Sequence, residues 1–124
     1  MKNVFVWVDI PVTDIDRATA FYSAVHGEDV ARMDVPGFHF SVFASQPGEV
    51  SGTLYVPHTH ANAPSDTGPL VYLNVDGRID AALAAVEAHG GRVVQPPGPI
   101  GAHGFRAIVI DSEGNLLALH SMSM

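Results

Sequence analysis

From Val4 to Val12 the chain alternates, with Val6, Val8 and Ile10 on one face and Phe5, Trp7 and Asp9 on the other. A period of two predicts a strand, and Pro11 near its end suits an edge or a strand exit. The period then changes: Ile15, Ala18, Phe21–Tyr22 and Val25 recur every three to four residues, the stripe of an amphipathic helix. Thr13 or Asp14 can cap it, Asp16 suits the positive end of its dipole, and Gly27 is placed to stop it. Three short alternating runs follow, residues 29–35, 38–44 and 50–56, separated by turns containing Pro36–Gly37 and Pro47–Gly48. The first half reads strand, helix, strand, strand, strand.

Residues 57–69 (PHTHANAPSDTGP) hold three prolines and no large aliphatic side chain, which predicts a linker or loop. The same order then recurs. Residues 70–75 read as a strand, and Ile79, Leu83 and Val86 as a helix ended by Gly90–Gly91. Residues 92–95, 105–111 and 116–120 read as three more strands, with a long loop over 96–104. A shift of 64 residues superposes Ile15–Asp16 on Ile79–Asp80 and Gly27 on Gly91; a shift of 67 superposes Gly37–Phe38 on Gly104–Phe105. The shared order argues for a tandem duplication. The fold class expected is α+β: module 1 over about 4–56, a linker over 57–69, and module 2 over about 70–120. A helix covers one face of each small sheet, so two exposed faces placed side by side form a cup suited to a small ligand.

Composition narrows the partners. Of 124 residues, 6 are Lys or Arg and 13 are Asp or Glu, a formal charge of −7. Nucleic acid and anionic membranes are therefore disfavoured. Charged residues make up only 15%, below the usual quarter or so, which agrees with some surface being buried in a partner or a cleft. The absence of cysteine removes disulfides, thiolate nucleophiles and zinc–thiolate sites. The opening Met1-Lys2-Asn3-Val4 lacks a signal-peptide stretch, and no apolar run reaches the roughly 20 residues of a membrane span, so a soluble cytoplasmic domain is expected.

Three segments in order carry a resemblance: Val12-Thr13-Asp14-Ile15-Asp16-Arg17-Ala18 with Phe21-Tyr22, then Val86-Glu87-Ala88-His89-Gly90-Gly91-Arg92-Val93, then Asp111-Ser112-Glu113-Gly114-Asn115-Leu116. Over about residues 4–120 the chain resembles the vicinal oxygen chelate superfamily, which contains glyoxalase I, the bleomycin-resistance proteins and the extradiol dioxygenases. The resemblance implies tandem βαβββ modules around a cup, and often a homodimer. Its enzymes usually hold a divalent metal with one side chain from the first and last strand of each module. Carried onto this sequence, those positions fall on Trp7, on Thr53 (or Tyr55 in the neighbouring register), on Leu70 and on Ala118. Trp, Leu and Ala offer no lone pair to a metal, and Thr or Tyr alone competes poorly with water. The expectation is a protein without a metal or other cofactor.

Strand parity places Trp7, Asp9, Thr53, Tyr55, Leu70, Tyr72, Asn74, Ala118 and His120 on the cup face as candidate ligand-binding residues. Asp9 beside Trp7 is the candidate general base or hydrogen-bond acceptor, or else the partner of Arg106; His120 is the candidate acid–base partner. His58 and His60 have a metal-gripping spacing but lie in a Pro-rich loop, which favours a solvated surface. The sequence therefore points first to metal-independent binding of a small, partly aromatic molecule. The alternative is a glyoxalase-like lyase or isomerase using Asp9 and His120, or a non-standard metal site among Asp9, His58, His60 and His120. A third option is a scaffold that only dimerises.

Overall fold

The computed structural model describes residues 3–124; Met1 and Lys2, part of the opening stretch read above for a signal peptide, lie outside the described residues. The element order is β1 (Trp7–Pro11), α1 (Ile15–His26), β2 (Val30–Val35), β3 (Phe38–Phe43), β4 (Ser51–Tyr55), β5 (Val71–Asn74), α2 (Ile79–Ala88), β6 (Arg92–Pro99), a 3-10 turn (Gly101–His103), β7 (Phe105–Ile110) and β8 (Leu116–Ser121). The strands form two four-stranded sheets, ordered β1-β4-β3-β2 and β5-β8-β7-β6. In each sheet the first and last strands of the module pair in parallel and the other pairs are antiparallel. The expected α+β duplication is present.

The local reasons follow the sequence. Asp14 caps α1 by accepting the amide of Arg17 at 3.0 Å, and Gly27 ends it with φ +90°, a conformation that suits a residue without Cβ. The α1 stripe of Ile15, Ala18, Phe21, Tyr22 and Val25 is buried, as are Ile79, Ala82 and Val86 of α2. Both helices pack on each other and share one core with Ile10, Val12 and Leu54 of the first sheet and Leu117 and Leu119 of the second. The two modules therefore pair within a single chain.

Two strand boundaries differ from the expectation by more than one residue. The first strand begins at Trp7 rather than Val4, because its partner β4 begins opposite it at Ser51; Val4, Phe5 and Val6 have no strand to bond and stay exposed. The segment 96–99, expected as loop, extends β6 to Pro99 with two irregularities in its pairing. Pro96, Pro97 and Pro99 are tolerated there because β6 is the outer strand of its sheet and one side of it needs no amide donors. Among the described residues no helix is long and apolar enough to cross a membrane.

The second module's Asp111–Asn115 turn locks the halves together. Glu113 accepts the amides of Thr13 and Asp14 and the Thr13 hydroxyl at 2.9–3.0 Å, and Arg17 grips both of its carboxylate oxygens at 2.7 and 3.0 Å. Burial pushes the Glu113 carboxyl up, but the Arg17, Asp14, Ser112 and Thr13 donors outweigh it and hold the group at about 2. The Arg17 guanidinium is raised in turn by its hydrogen bond to Glu113. Below this clasp, Tyr22 donates to buried Asp111 at 2.5 Å; burial, then the Asp111 charge, pushes the phenol well above its usual range. Asn115 donates to the carbonyl of Pro11 at 2.9 Å and to Asp111 at 3.0 Å.

Candidate functional site

Strand register fixes what faces away from the helices. Asp9 pairs with Thr53 and Pro11 with Tyr55 in the first sheet, while Tyr72 pairs with Ala118 and Asn74 with His120 in the second. Val12 closes the first ladder on the carbonyl of Tyr55, and Val75 closes the second on that of His120. The duplication therefore superposes Asp9 on Tyr72, Thr53 on Ala118 and Tyr55 on His120, and, two residues earlier, Trp7 on Leu70. Trp7, Thr53, Leu70 and Ala118 are the positions onto which the resemblance carries the chelating side chains.

The sheet edges β1 and β5 border a cleft of about 560 Å³. Its walls are Phe5, Trp7 and Asp9 from the first module and Leu70, Tyr72 and Leu116 from the second. The linker crosses it, contributing Asn62, Ala63, Ser65, Thr67 and Pro69. That crossing is anchored: the Ser65 amide donates to Asn115 Oδ1 at 3.1 Å, and the Ser65 carbonyl accepts the Leu116 amide at 3.1 Å. A second hollow of about 260 Å³ lies over the first sheet, lined by Asp9, Thr53, Tyr55, Phe38, Phe40 and the linker residues His58–His60. Here Asn62 donates to the Tyr55 hydroxyl at 2.8 Å and His60 Nε2 lies 3.1 Å from it, which ties the linker over the sheet.

The predicted residues thus divide. Trp7, Leu70 and Tyr72 line the cleft, Thr53 and Tyr55 line the hollow, and Asp9 lines both. Asn74, Ala118 and His120 line neither; Ala118 is fully buried, and His120 directs Nε2 to the carbonyl of His103 at 2.6 Å. Asp9 and His120 therefore share neither the cleft nor the hollow. Asp9 is not paired with Arg106 either: Arg106 donates to the Tyr72 hydroxyl at 2.7 Å, and Asp9 Oδ1 accepts from Trp7 Nε1 at 3.0 Å. Sequence reasoning missed the linker's wall residues, since a Pro-rich run gives no periodicity to aim its side chains. It also missed the role of Glu113, although the turn motif that carries it was visible.

The metal that the resemblance implies does not fit these residues. Trp7 Nε1 also donates to Thr53 Oγ1 at 2.9 Å, so an indole N–H occupies the place of a chelating atom and uses the oxygens of Thr53 and Asp9 as acceptors. An indole nitrogen donates only. In the second module the same rung offers Leu70 and Ala118, which have no donor atom at all. Among the described residues no three His, Asp or Glu side chains gather as a cation would need.

Comparison with known proteins agrees with the fold. The sequence model of the Glyoxalase/Bleomycin resistance protein/Dioxygenase superfamily matches residues 4–119. Among curated proteins, the chain is 30% identical over 117 residues to a glyoxylase-like domain-containing protein of Didymella fabae, covering 90% of this chain and 88% of that one. It is 29% identical over 124 residues to the putative glyoxylase CFP32 of Mycobacterium tuberculosis, covering 94% of this chain but only 43% of that protein's length. Among solved structures, a glyoxalase/bleomycin resistance protein from Albidiferax ferrireducens superposes with a TM-score of 0.74 at 23% identity, covering 96% and 99% of the two chains. Glyoxalase I from Zea mays gives 0.68 at 20% identity, covering 94% of this chain and 45% of that one. At these identities the structural likeness is one of fold.

Proposed function

Because the chain belongs to the glyoxalase/bleomycin resistance protein/dioxygenase superfamily, yet sets an indole and two aliphatic side chains at its chelating positions, we propose that it binds a small organic molecule without a metal. The observation that carries this is the Trp7 indole N–H, shared between Asp9 and Thr53 at 3.0 and 2.9 Å. It converts a chelating corner into an aromatic wall with its polar atoms satisfied. Phe5, Trp7, Leu70, Tyr72 and Leu116 supply apolar area for a guest, and Asn62, Ser65 and Thr67 supply hydrogen bonds. That mixture suits stacking and sequestration in the manner of a binding protein.

The test has two arms. Protein dialysed against zinc, nickel and manganese is expected to retain far less than one ion per chain, and native mass spectrometry of protein taken straight from cells is expected to show an organic adduct. One tightly held cation per chain, lost in Asp9→Asn, would overturn the reading.

A second reading, a lyase or isomerase, is favoured by one observation: the Asp9 carboxylate lies at the boundary of both cavities. An Asp9→Asn variant that keeps ligand affinity but loses turnover would establish it. The exposed apolar residues Met33, Val35 and Phe38 on the outer β2–β3 pair further suggest that two copies associate through this edge. Sedimentation of the purified chain at dimer mass supports that association, and a monomer at all accessible concentrations contradicts it.

A further inference from the structure

The two walls of the cleft differ in charge. Asp9 stands on the β1 wall, already engaged by Trp7. Across the cleft, the lining residue Tyr72 meets Arg106, which itself stands just outside the lining: Nη1 donates to the Tyr72 hydroxyl at 2.7 Å, and the guanidinium carbon is 6.0 Å from the ring centroid. Arg17 and Arg32 have carboxylate partners, Glu113 and Asp16; Arg106, like Arg78 and Arg92, has none among the described residues. We propose that this Tyr72–Arg106 pair, at the edge of the cleft, seats the acid group of an organic anion whose apolar or aromatic body lies inside against Trp7, Phe5 and Leu70. The proposal rests on the reading of the cleft as an organic-ligand site and adds the chemical class of the guest.

The donor balance carries the argument. A guanidinium has five N–H donors, and only one of those on Arg106 is used, toward Tyr72. The Tyr72 hydroxyl, by accepting that bond, keeps its own proton to donate. Its neighbour His120 has Nε2 committed to the His103 carbonyl and brings no negative charge. On the other flank, Arg106 pairs with Gly98 of β6, where nothing lies within 4 Å of a would-be Cβ, leaving room beside the arginine. The wall is therefore rich in unspent donors and holds no fixed negative charge, in a chain of net charge −7. Arg106 is half-buried, which strengthens a charge-assisted bond to an acid over its value in water. Asp9 repels the acid group from the opposite wall and so orients the guest. The general negative charge of the surface does not forbid entry, since at physiological salt it is screened beyond about 8 Å.

Trp7 is the sole tryptophan and lies in the cleft, so its emission reports occupancy. Two probes share one skeleton: 1-anilinonaphthalene-8-sulfonate, an anion, and N-phenyl-1-naphthylamine, its neutral counterpart. Both are expected to quench Trp7 saturably in the unaltered protein. Arg106→Met is expected to weaken the sulfonate at least tenfold and the neutral probe less than twofold. Tyr72→Phe, which keeps the ring, is expected to weaken the sulfonate about threefold. Arg106→Lys keeps the charge without the fork and is expected to fall between, which keeps the test decisive if Arg106→Met fails to fold. Unchanged sulfonate affinity in the folded variants, or equal losses for both probes, overturns the anion seat while the neutral probe's quenching upholds the cleft. If neither probe quenches Trp7, the cleft reading fails and the anion seat with it.

Discussion

Replacing Glu113 with Gln tests the clasp that holds the modules in register. In the fold this carboxylate accepts two amides, the Thr13 and Ser112 hydroxyls and both arms of the Arg17 fork, and its side chain has no solvent-accessible surface. A carboxyl that titrates at 4.5 when unconstrained and about 2 here corresponds, at 1.36 kcal/mol per pH unit, to about 3 kcal/mol of linkage. Arg17 is half exposed, so solvent screens its share and the net contribution falls to about 1.5 kcal/mol. The glutamine can still offer one oxygen to the amides of Thr13 and Asp14, but it turns an N–H toward Arg17 Nε, donor against donor. The sign follows from the depressed value. The contribution is complete above about pH 4.5 and disappears as pH falls toward 2, with more than half gone by pH 3. Urea unfolding of both proteins at pH 7 and pH 3 measures it. Glu113→Gln is expected to be less stable by about 1.5 kcal/mol at pH 7, with the gap more than halved at pH 3. A gap below about 0.5 kcal/mol at pH 7, or one unchanged by acid, would refute the clasp as a source of stability.

Tyr22→Phe leaves buried Asp111 Oδ2 with only the Asn115 amide at 3.0 Å, and a loss of about 2 kcal/mol is expected in urea unfolding at pH 7. Because the phenol is raised in the fold, the stability it provides is present below the ordinary tyrosine range near pH 10 and is lost as pH rises above it. Ultraviolet titration should show one phenolate appearing only as the fold opens, a signal absent from Tyr22→Phe. Asn115→Ala removes the side-chain partner of both the Pro11 carbonyl and the Ser65 amide and leaves the linker at Ser65 held by the Leu116 amide alone, so limited proteolysis should cut within residues 57–69 several times faster than in the unaltered chain; an unchanged rate contradicts that anchor. Gly52→Ala would place a Cβ 2.5 Å from the Val8 carbonyl oxygen, between paired β1 and β4, and should lower stability by about 2 kcal/mol by thermal or urea unfolding. With methylglyoxal and glutathione no turnover above background is expected; chelator-sensitive turnover would refute the placement of Trp7, Leu70 and Ala118 at the chelating positions.

The sequence by itself determined the elements and their faces, because a period of two or of three to four is written into local apolar spacing. Asp14, Gly27 and the α1 stripe act where the chain alone predicts them, and alternation put Trp7, Asp9, Thr53 and Tyr55 together on one face before any partner strand was known. It also shows that Trp7, Leu70 and Ala118 carry no side-chain lone pair for a metal, since that depends only on residue types. Tertiary structure decided the rest. Strand ends depend on partners, so β1 starts where β4 does and β6 runs on through its prolines as an outer strand. Side-chain pairing depends on what stands across the fold: Arg106 meets Tyr72 rather than Asp9, and His120 meets the His103 carbonyl. The cleft itself depends on the linker, where proline and small polar residues carry no period and only anchoring at Ser65 and Asn62 fixes the path. Local spacing encodes direction from a backbone, whereas distances between segments far apart in the chain arise only when the core they share has packed.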